Sequence, residues 1–123
     1  IIICQIILIL VLFIITTTYS KRNKGAKKQT HKVFQLFEAF TYKGMPYRLM
    51  KPIKIESSRK YPVIVSLHGA GGRGTNNRKQ LKVWVRQLAD ENIRKKYPCY
   101  VLAPQTPNGW TKDHLAKIKE IIK

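Results

Sequence analysis

The stretch Val65 to Thr75, VSLHGAGGRGT, places Gly69, Gly71, Gly72 and Gly74 directly after a run of strand-forming residues. Backbone so free of side chains can approach a charged group closely. Three kinds of site use such a loop: a nucleotide-phosphate cradle, a dinucleotide turn, or backbone N–H groups aimed at a developing oxyanion. Gly69 and Gly74 have the spacing of a Walker loop, yet Thr75 stands where the phosphate-neutralising lysine belongs. Gly69, Gly71 and Gly74 also satisfy G-x-G-x-x-G between a strand and a helix. That reading weakens further on: the second strand ends Leu102-Ala103-Pro104-Gln105, without the acid that grips ribose hydroxyls, and Asp90 and Glu91 fall within the preceding helical stretch. The oxyanion reading uses more of the residues. His-Gly and small residues after a strand turn the backbone sharply and point unhindered N–H groups into a cleft at the carboxyl end of a sheet.

The elements that would position this loop follow from hydrophobic period. Val33 to Tyr42 and Tyr47 to Met50, joined at Lys43-Gly44, read as two antiparallel strands. After the polar loop Ser57 to Lys60, Val63 to Leu67 is a continuous apolar run, as in a strand covered on both faces. Leu81, Trp84, Val85 and Leu88 recur at i, i+3, i+4 and i+7, which predicts an amphipathic helix from Asn77 to about Lys95. Cys99 to Ala103 is a second apolar strand, stopped by Pro104. Strand, glycine loop, helix and strand make a βαβ unit with parallel strands. Leu115, Ile118 and Ile122 then give a helical stripe with Thr111 or Asp113 as the N-cap. The fold class expected is α/β: an antiparallel hairpin, a parallel βαβ unit and a following helix.

Composition narrows the function. Lys and Arg total 24 against 6 Asp and Glu, a formal charge of +18. The cations are scattered, with one denser patch from Lys21 to Lys28, and no zinc-finger or aromatic-basic signature accompanies them, so specific nucleic-acid binding is not expected. Cys4 and Cys99 lie in unlike settings and form no disulfide framework; His31, His68 and His114 lack the spacing of metal ligands. Neither a metal nor a cofactor is expected.

Residues 1–20 open with IIICQIILILVLFII, which as a helix spans about 22 Å, short of the roughly 30 Å hydrocarbon core. It reads as a signal peptide or a membrane anchor, which makes the protein secreted or membrane-anchored. Residues 21–32 read as a basic linker, so that residues 1–28 offer a membrane contact. Residues 33–123 hold the folded domain. Because the chain opens on Ile1 rather than Met, it is expected to be incomplete at its front.

LHGAGGRGTNN resembles the oxyanion loop of α/β-hydrolases. MPYRLMKP (Met45 to Pro52), KYPVIVSLHG (Lys60 to Gly69) and YPCYVLAPQTPNGW (Tyr97 to Trp110) are similar to the predicted-peptidase and esterase branch related to polyhydroxybutyrate depolymerases and feruloyl esterases. The resemblance runs from about Val33 to Lys123. It implies an α/β-hydrolase sheet, incomplete here, acting on an ester or peptide substrate. It assigns the oxyanion donor to the backbone N–H of Ala70, with Gly71 adjacent, and leaves His68, Gly69, Gly72 and Gly74 as the structural frame of the loop. Arg73 and Asn76 or Asn77 would pin the loop or face solvent. Gln105 and Trp110 would lie near the cleft rim, Trp110 either as an acyl-pocket wall or in ordinary packing.

A serine hydrolase also needs a nucleophile on a G-x-S-x-G elbow, then an acid and a histidine. None of Ser20, Ser57, Ser58 and Ser66 is flanked by those glycines, and the adjacent Asp113 and His114 read as a capping group and a surface imidazole. The resemblance therefore implies an N-terminal fragment that ends before its catalytic serine and is inactive as given. It also places the next strand beside Val63 to Leu67, leaving that strand with a bare edge here. Two other classes stay open: a membrane-attached basic binding module acting through Lys21 to Lys28, and a nucleotide-binding Rossmann-like domain.

Overall fold

The computed structural model describes residues 31–123 together with Thr18 and Lys24. The proposed leader, and all of the proposed linker except Lys24, His31 and Lys32, lie outside the described residues, apart from Thr18 in the leader. The chain divides into two compact units, Ile1–Lys32 and Val33–Lys123. Among the described residues no helix is long and apolar enough to cross a membrane.

The second unit is a mixed α/β arrangement. Its strands are β1 (Glu38–Tyr42), β2 (Met45–Met50), β3 (Val63–Val65) and β4 (Tyr100–Pro104), in the sheet order β1-β2-β4-β3. β1 and β2 form the expected antiparallel hairpin, with Tyr42 opposite Met45. Both loop residues, Lys43 and Gly44, have positive φ, at 45° and 76°. That is the signature of the tight turn whose twist matches the strands, and it suits glycine at the second position. β3 and β4 are parallel, as the βαβ pattern required, while β2 and β4 are antiparallel. Among the described residues β3 pairs on one side only, and its Ile64 is 36% exposed.

Alternation along β4 builds a core on each face of the sheet. Val101 and Ala103 join Phe37, Met50, Leu81, Val85 and Ala89 on one side; Leu102 joins Met45 and Ile118 on the other. Cys99 packs against the first cluster, and burial pushes its thiol pKa up, as befits a small inert core residue.

Two expected elements differ. Residues 31–36 are helical, where a strand was expected from Val33. Val33, Phe34 and Leu36 pack against the first core cluster, and the rings of β-favouring residues are accommodated by tertiary contact that overrides propensity. Phe34 lies under two guanidinium groups, Arg78 at 5.3 Å and Arg86 at 6.0 Å from its centroid. The single helix expected from Asn77 to Lys95 is instead two short ones, α1 (Val83–Gln87) and α2 (Glu91–Lys96). Asp90 separates them because its carboxylate accepts from the amides of Asn92 and Ile93, capping α2. Of the apolar stripe, Leu81 and Val85 are buried, whereas Trp84 is 49% exposed.

The last helix, α3 (Lys112–Ile122), starts as expected. Thr111 is its N-cap, and Asp113 instead pairs with Lys117 at 2.9 Å. His114 is a capping partner as well as a surface group: the Thr111 amide donates to its Nδ1, and the His114 amide donates to the Thr111 hydroxyl.

Candidate functional site

The glycine loop leaves the carboxyl end of β3 through Ser66, whose amide donates to the Leu102 carbonyl. It then folds into a single 3-10 turn, Ala70–Gly72. The turn closes through Gly72 N–H to Gly69 O and Arg73 N–H to Ala70 O. First-turn amides have no partner inside a helix. Among the described residues the amides of Ala70 and Gly71 donate to no protein acceptor, and both residues are exposed.

Everything around those two amides is pinned. His68 is 7% exposed. Its Nδ1 lies 2.9 Å from the Gly69 carbonyl, and its Nε2 accepts from the Thr106 amide at 3.0 Å. A carbonyl only accepts and an amide only donates, so the imidazole is the neutral tautomer protonated on Nδ1. With both nitrogens engaged, His68 braces the loop and has no lone pair to offer a nucleophile. Trp110 covers it: the ring centroids are 4.7 Å apart, and the indole N–H donates to the His68 carbonyl at 3.0 Å.

Close approach explains Gly72. A Cβ there would lie 2.4 Å from the His68 Cβ. Gly74 has φ +140°, a region that disfavours any side chain, and its amide donates to the Thr106 carbonyl. Gly69 and Gly71 meet no such crowding; the nearest atom to a Cβ at Gly71 would be the mobile Lys82 Nζ at 3.4 Å.

Gln105 is placed beneath the loop. It is wholly buried, its Oε1 accepts from the Asn77 amide, and its Nε2 donates to the Gly72 carbonyl and to Asn76 Oδ1. Its amide group is therefore spent on loop geometry, in contrast to the cleft-rim position expected. Asn76 also accepts from the amides of Arg78 and Lys79. Asn77, held at φ 51°, donates to the carbonyls of Tyr47 and Phe40. Both asparagines thus pin the loop, while Arg73 faces solvent.

Thr106 and Arg48 complete the frame and were not singled out from the sequence. Arg48 donates to the carbonyls of Asn77 and Phe37 from the middle of β2. Burial, and then the nearby Arg78, lower its pKa from the ordinary guanidinium value. The signal for Arg48 was a cation inside an apolar strand; for Thr106 it was the position just past the second parallel strand, beside the loop.

The electrostatics are one-sided. No carboxylate occurs between His68 and Ala89, whereas Arg73, Arg78, Lys79, Lys82 and Arg86 do, and the Lys82 ammonium donates to the Gly71 carbonyl. Two unengaged amides in a cationic surrounding can stabilise a negative oxygen. Among the described residues there is no group of His, Cys, Asp or Glu that could hold a metal ion. The dinucleotide reading also loses support, because the α-helix that should start at the glycines begins only at Val83.

No protein-family model and no curated protein matches the chain. Among solved structures the chain is similar to a thermostable esterase, with 35% identity over 73% of this chain and a TM-score of 0.62. The chain spans 30% of that esterase's length. The mixed α/β fold with its four-stranded sheet thus resembles part of an esterase.

Proposed function

We propose that this chain supplies the oxyanion loop of a serine hydrolase of the α/β-hydrolase type, acting on carboxylic esters through an acyl-enzyme. The amides of Ala70 and Gly71 receive the carbonyl oxygen as it gains charge. His68, Gly69, Gly72 and Gly74 hold them in place, and Trp110 closes the loop over His68. The observation that carries this reading is the pair of unoccupied amides on a loop whose surroundings are pinned by Gln105, Thr106 and His68. The esterase likeness supports ester over peptide substrates; the finer placement, in the branch related to polyhydroxybutyrate depolymerases and feruloyl esterases, rests on the sequence segments that resemble it.

The attacking serine comes from outside this sequence. Ser66 is 2% exposed and bonded into the sheet. Ser57 and Ser58 lie before β3, at the end of the strands opposite the loop. By itself the polypeptide forms no acyl-enzyme. Residues 1–20, as signal peptide or anchor, direct the enzyme to the membrane or beyond it.

The test is a chimera in which residues 33–123 replace the matching segment of the thermostable esterase, assayed on p-nitrophenyl acetate. Ala70→Pro removes one donor and little else. Gly69 is extended at φ −83° and ψ −168°, as a residue before proline should be, and proline suits the first position of a helical turn. Removing one oxyanion donor lowers kcat by about 10²–10³. A folded, active chimera whose kcat is unchanged by Ala70→Pro would refute the assignment.

A further inference from the structure

The carbonyls of the glycine turn do not all receive the same kind of donor. Ala70 O accepts the neutral amide of Arg73 at 3.2 Å, and Gly72 O accepts the neutral side-chain amide of Gln105 at 2.9 Å. Gly71 O accepts the ammonium of Lys82. It has no backbone donor among the described residues, because the Gly74 amide, which would close the next 3-10 bond, is turned to Thr106 O instead.

A charged donor on that carbonyl is felt at the far end of the turn. Each peptide unit joins the carbonyl of one residue to the N–H of the next, so a cation on Gly71 O draws electron density from the Gly72 N–H. The Gly72 N–H in turn donates at 3.0 Å to Gly69 O, the carbonyl of the peptide unit that carries the Ala70 N–H. His68 Nδ1 meets the same oxygen at 2.9 Å. The line from Lys82 therefore crosses two peptide units, Gly71–Gly72 and Gly69–Ala70, and ends on an exposed amide that donates to no protein acceptor among the described residues. Hydrogen bonds in series strengthen one another, and a charged donor at the head of the series is stronger than a neutral one. The Gly71 N–H stands outside this line, because its own peptide unit carries Ala70 O, whose backbone donor is the neutral Arg73 amide.

The local helix gives no reason for a lysine here. Lys82 is the N-cap of α1, a position that favours Ser, Thr, Asp or Asn and at which a cation meets the positive end of the helix. Its side chain makes no capping bond and turns back to the glycine loop. No carboxylate between His68 and Ala89 offsets its charge from within that stretch.

We propose that Lys82 is a positioning residue of the oxyanion loop: acting through the Gly71–Gly72 and Gly69–Ala70 peptide units, its ammonium makes the Ala70 amide a stronger donor to a developing negative oxygen. The catalytic meaning of this rests on the oxyanion reading, whereas the line of hydrogen bonds is a property of the turn itself.

An exposed amide loses its proton to hydroxide at a rate set by its acidity, and a stronger donor is a stronger acid. Amide exchange in the full chain at fixed pH, followed by NMR, reads the line directly. Lys82→Met removes the charge at an exposed position and should slow exchange at Ala70 by about threefold or more, and at Gly71 by less. Lys82→Arg should restore the rate. A purely structural role would do the opposite, loosening the turn and speeding exchange at Gly72. In the esterase chimera, Lys82→Met should lower kcat about three- to tenfold with little change in KM, a fraction of the about 10²–10³ for a donor removed outright. Unchanged or faster exchange at Ala70 in Lys82→Met, a larger slowing at Gly71 than at Ala70, or no recovery in Lys82→Arg would each overturn the proposal. A kcat insensitive to Lys82→Met in a chimera that Ala70→Pro impairs would also overturn it and leave the oxyanion reading standing; a chimera that Ala70→Pro does not impair would instead remove that reading.

Discussion

Gly72→Ala is the most direct probe of the loop, since it adds one methyl group at a point where the structure has no room. The new Cβ would sit 2.4 Å from the His68 Cβ and 2.9 Å from its Cγ. Carbon atoms prefer about 3.5–4.0 Å, so more than about 1 Å of movement is required. His68 cannot supply it cheaply: its ring nitrogens face Gly69 O and the Thr106 amide, and Trp110 lies against it. If the ring yields, the buried Thr106 amide loses its acceptor, which costs about 1–3 kcal/mol. If the backbone yields, overpacking costs about 1–3 kcal/mol. Some of each is expected, for a total of about 2–4 kcal/mol. Gly71→Ala is the control, because only the flexible Lys82 side chain lies within reach of the added methyl. In urea titrations followed by circular dichroism at low protein concentration, Gly72→Ala should lower the midpoint by about 1–3 M for a domain of this size, and Gly71→Ala should move it little. Equal midpoints for the two variants would refute the argument that close approach of His68 dictates glycine at 72.

Gln105→Met keeps the volume but strips three hydrogen bonds from the loop, leaving the Asn77 amide and the Gly72 carbonyl without their partner. It should destabilise by about 2–4 kcal/mol in the same titration, and amide exchange in residues 72–77 should accelerate; unchanged exchange would contradict the bracing role. The exposed cluster of Glu120, Lys43 and Tyr42 predicts a pH signature. The hydrogen bond from Lys43, then that from Tyr42, holds the Glu120 carboxyl below the ordinary carboxylate value, and Glu120 raises the Lys43 ammonium above its own. The stabilisation from Glu120 is complete above the unfolded carboxylate value of 4.5 and fades as pH falls through the lower folded value. That from Lys43 is complete below 10.5 and fades as pH rises through its raised value. Melting temperatures of wild type and Glu120→Gln should therefore differ at neutral pH and converge in acid; a constant difference across that range would rule out the linkage.

Much of this molecule is legible in residue order because the relevant forces are local. Alternation, the Lys43-Gly44 turn and the apolar runs ending at Pro104 give the hairpin and the parallel pair directly. The glycine spacing marks the loop, and the missing acid after β4 argues against a dinucleotide. Less legible was the stretch from Asn77 to Lys95, where helical period was real but two local competitors won: Asp90 capping a new start, and asparagine side chains holding residues 76–80 in turns. Residues 33–36 show the same limit, since their strand-favouring side chains are helical where they pack on the core.

The amino-acid order alone determined which backbone would be bare and what sign of charge would surround it. Tertiary structure decided the roles of the side chains beneath. His68, Gln105, Thr106 and Arg48 are far apart in the chain, and only the adjacency of β2, β3 and β4 brings their donors and acceptors to one loop. A buried polar group takes its function from the partner that satisfies it, and that partner is chosen by the fold.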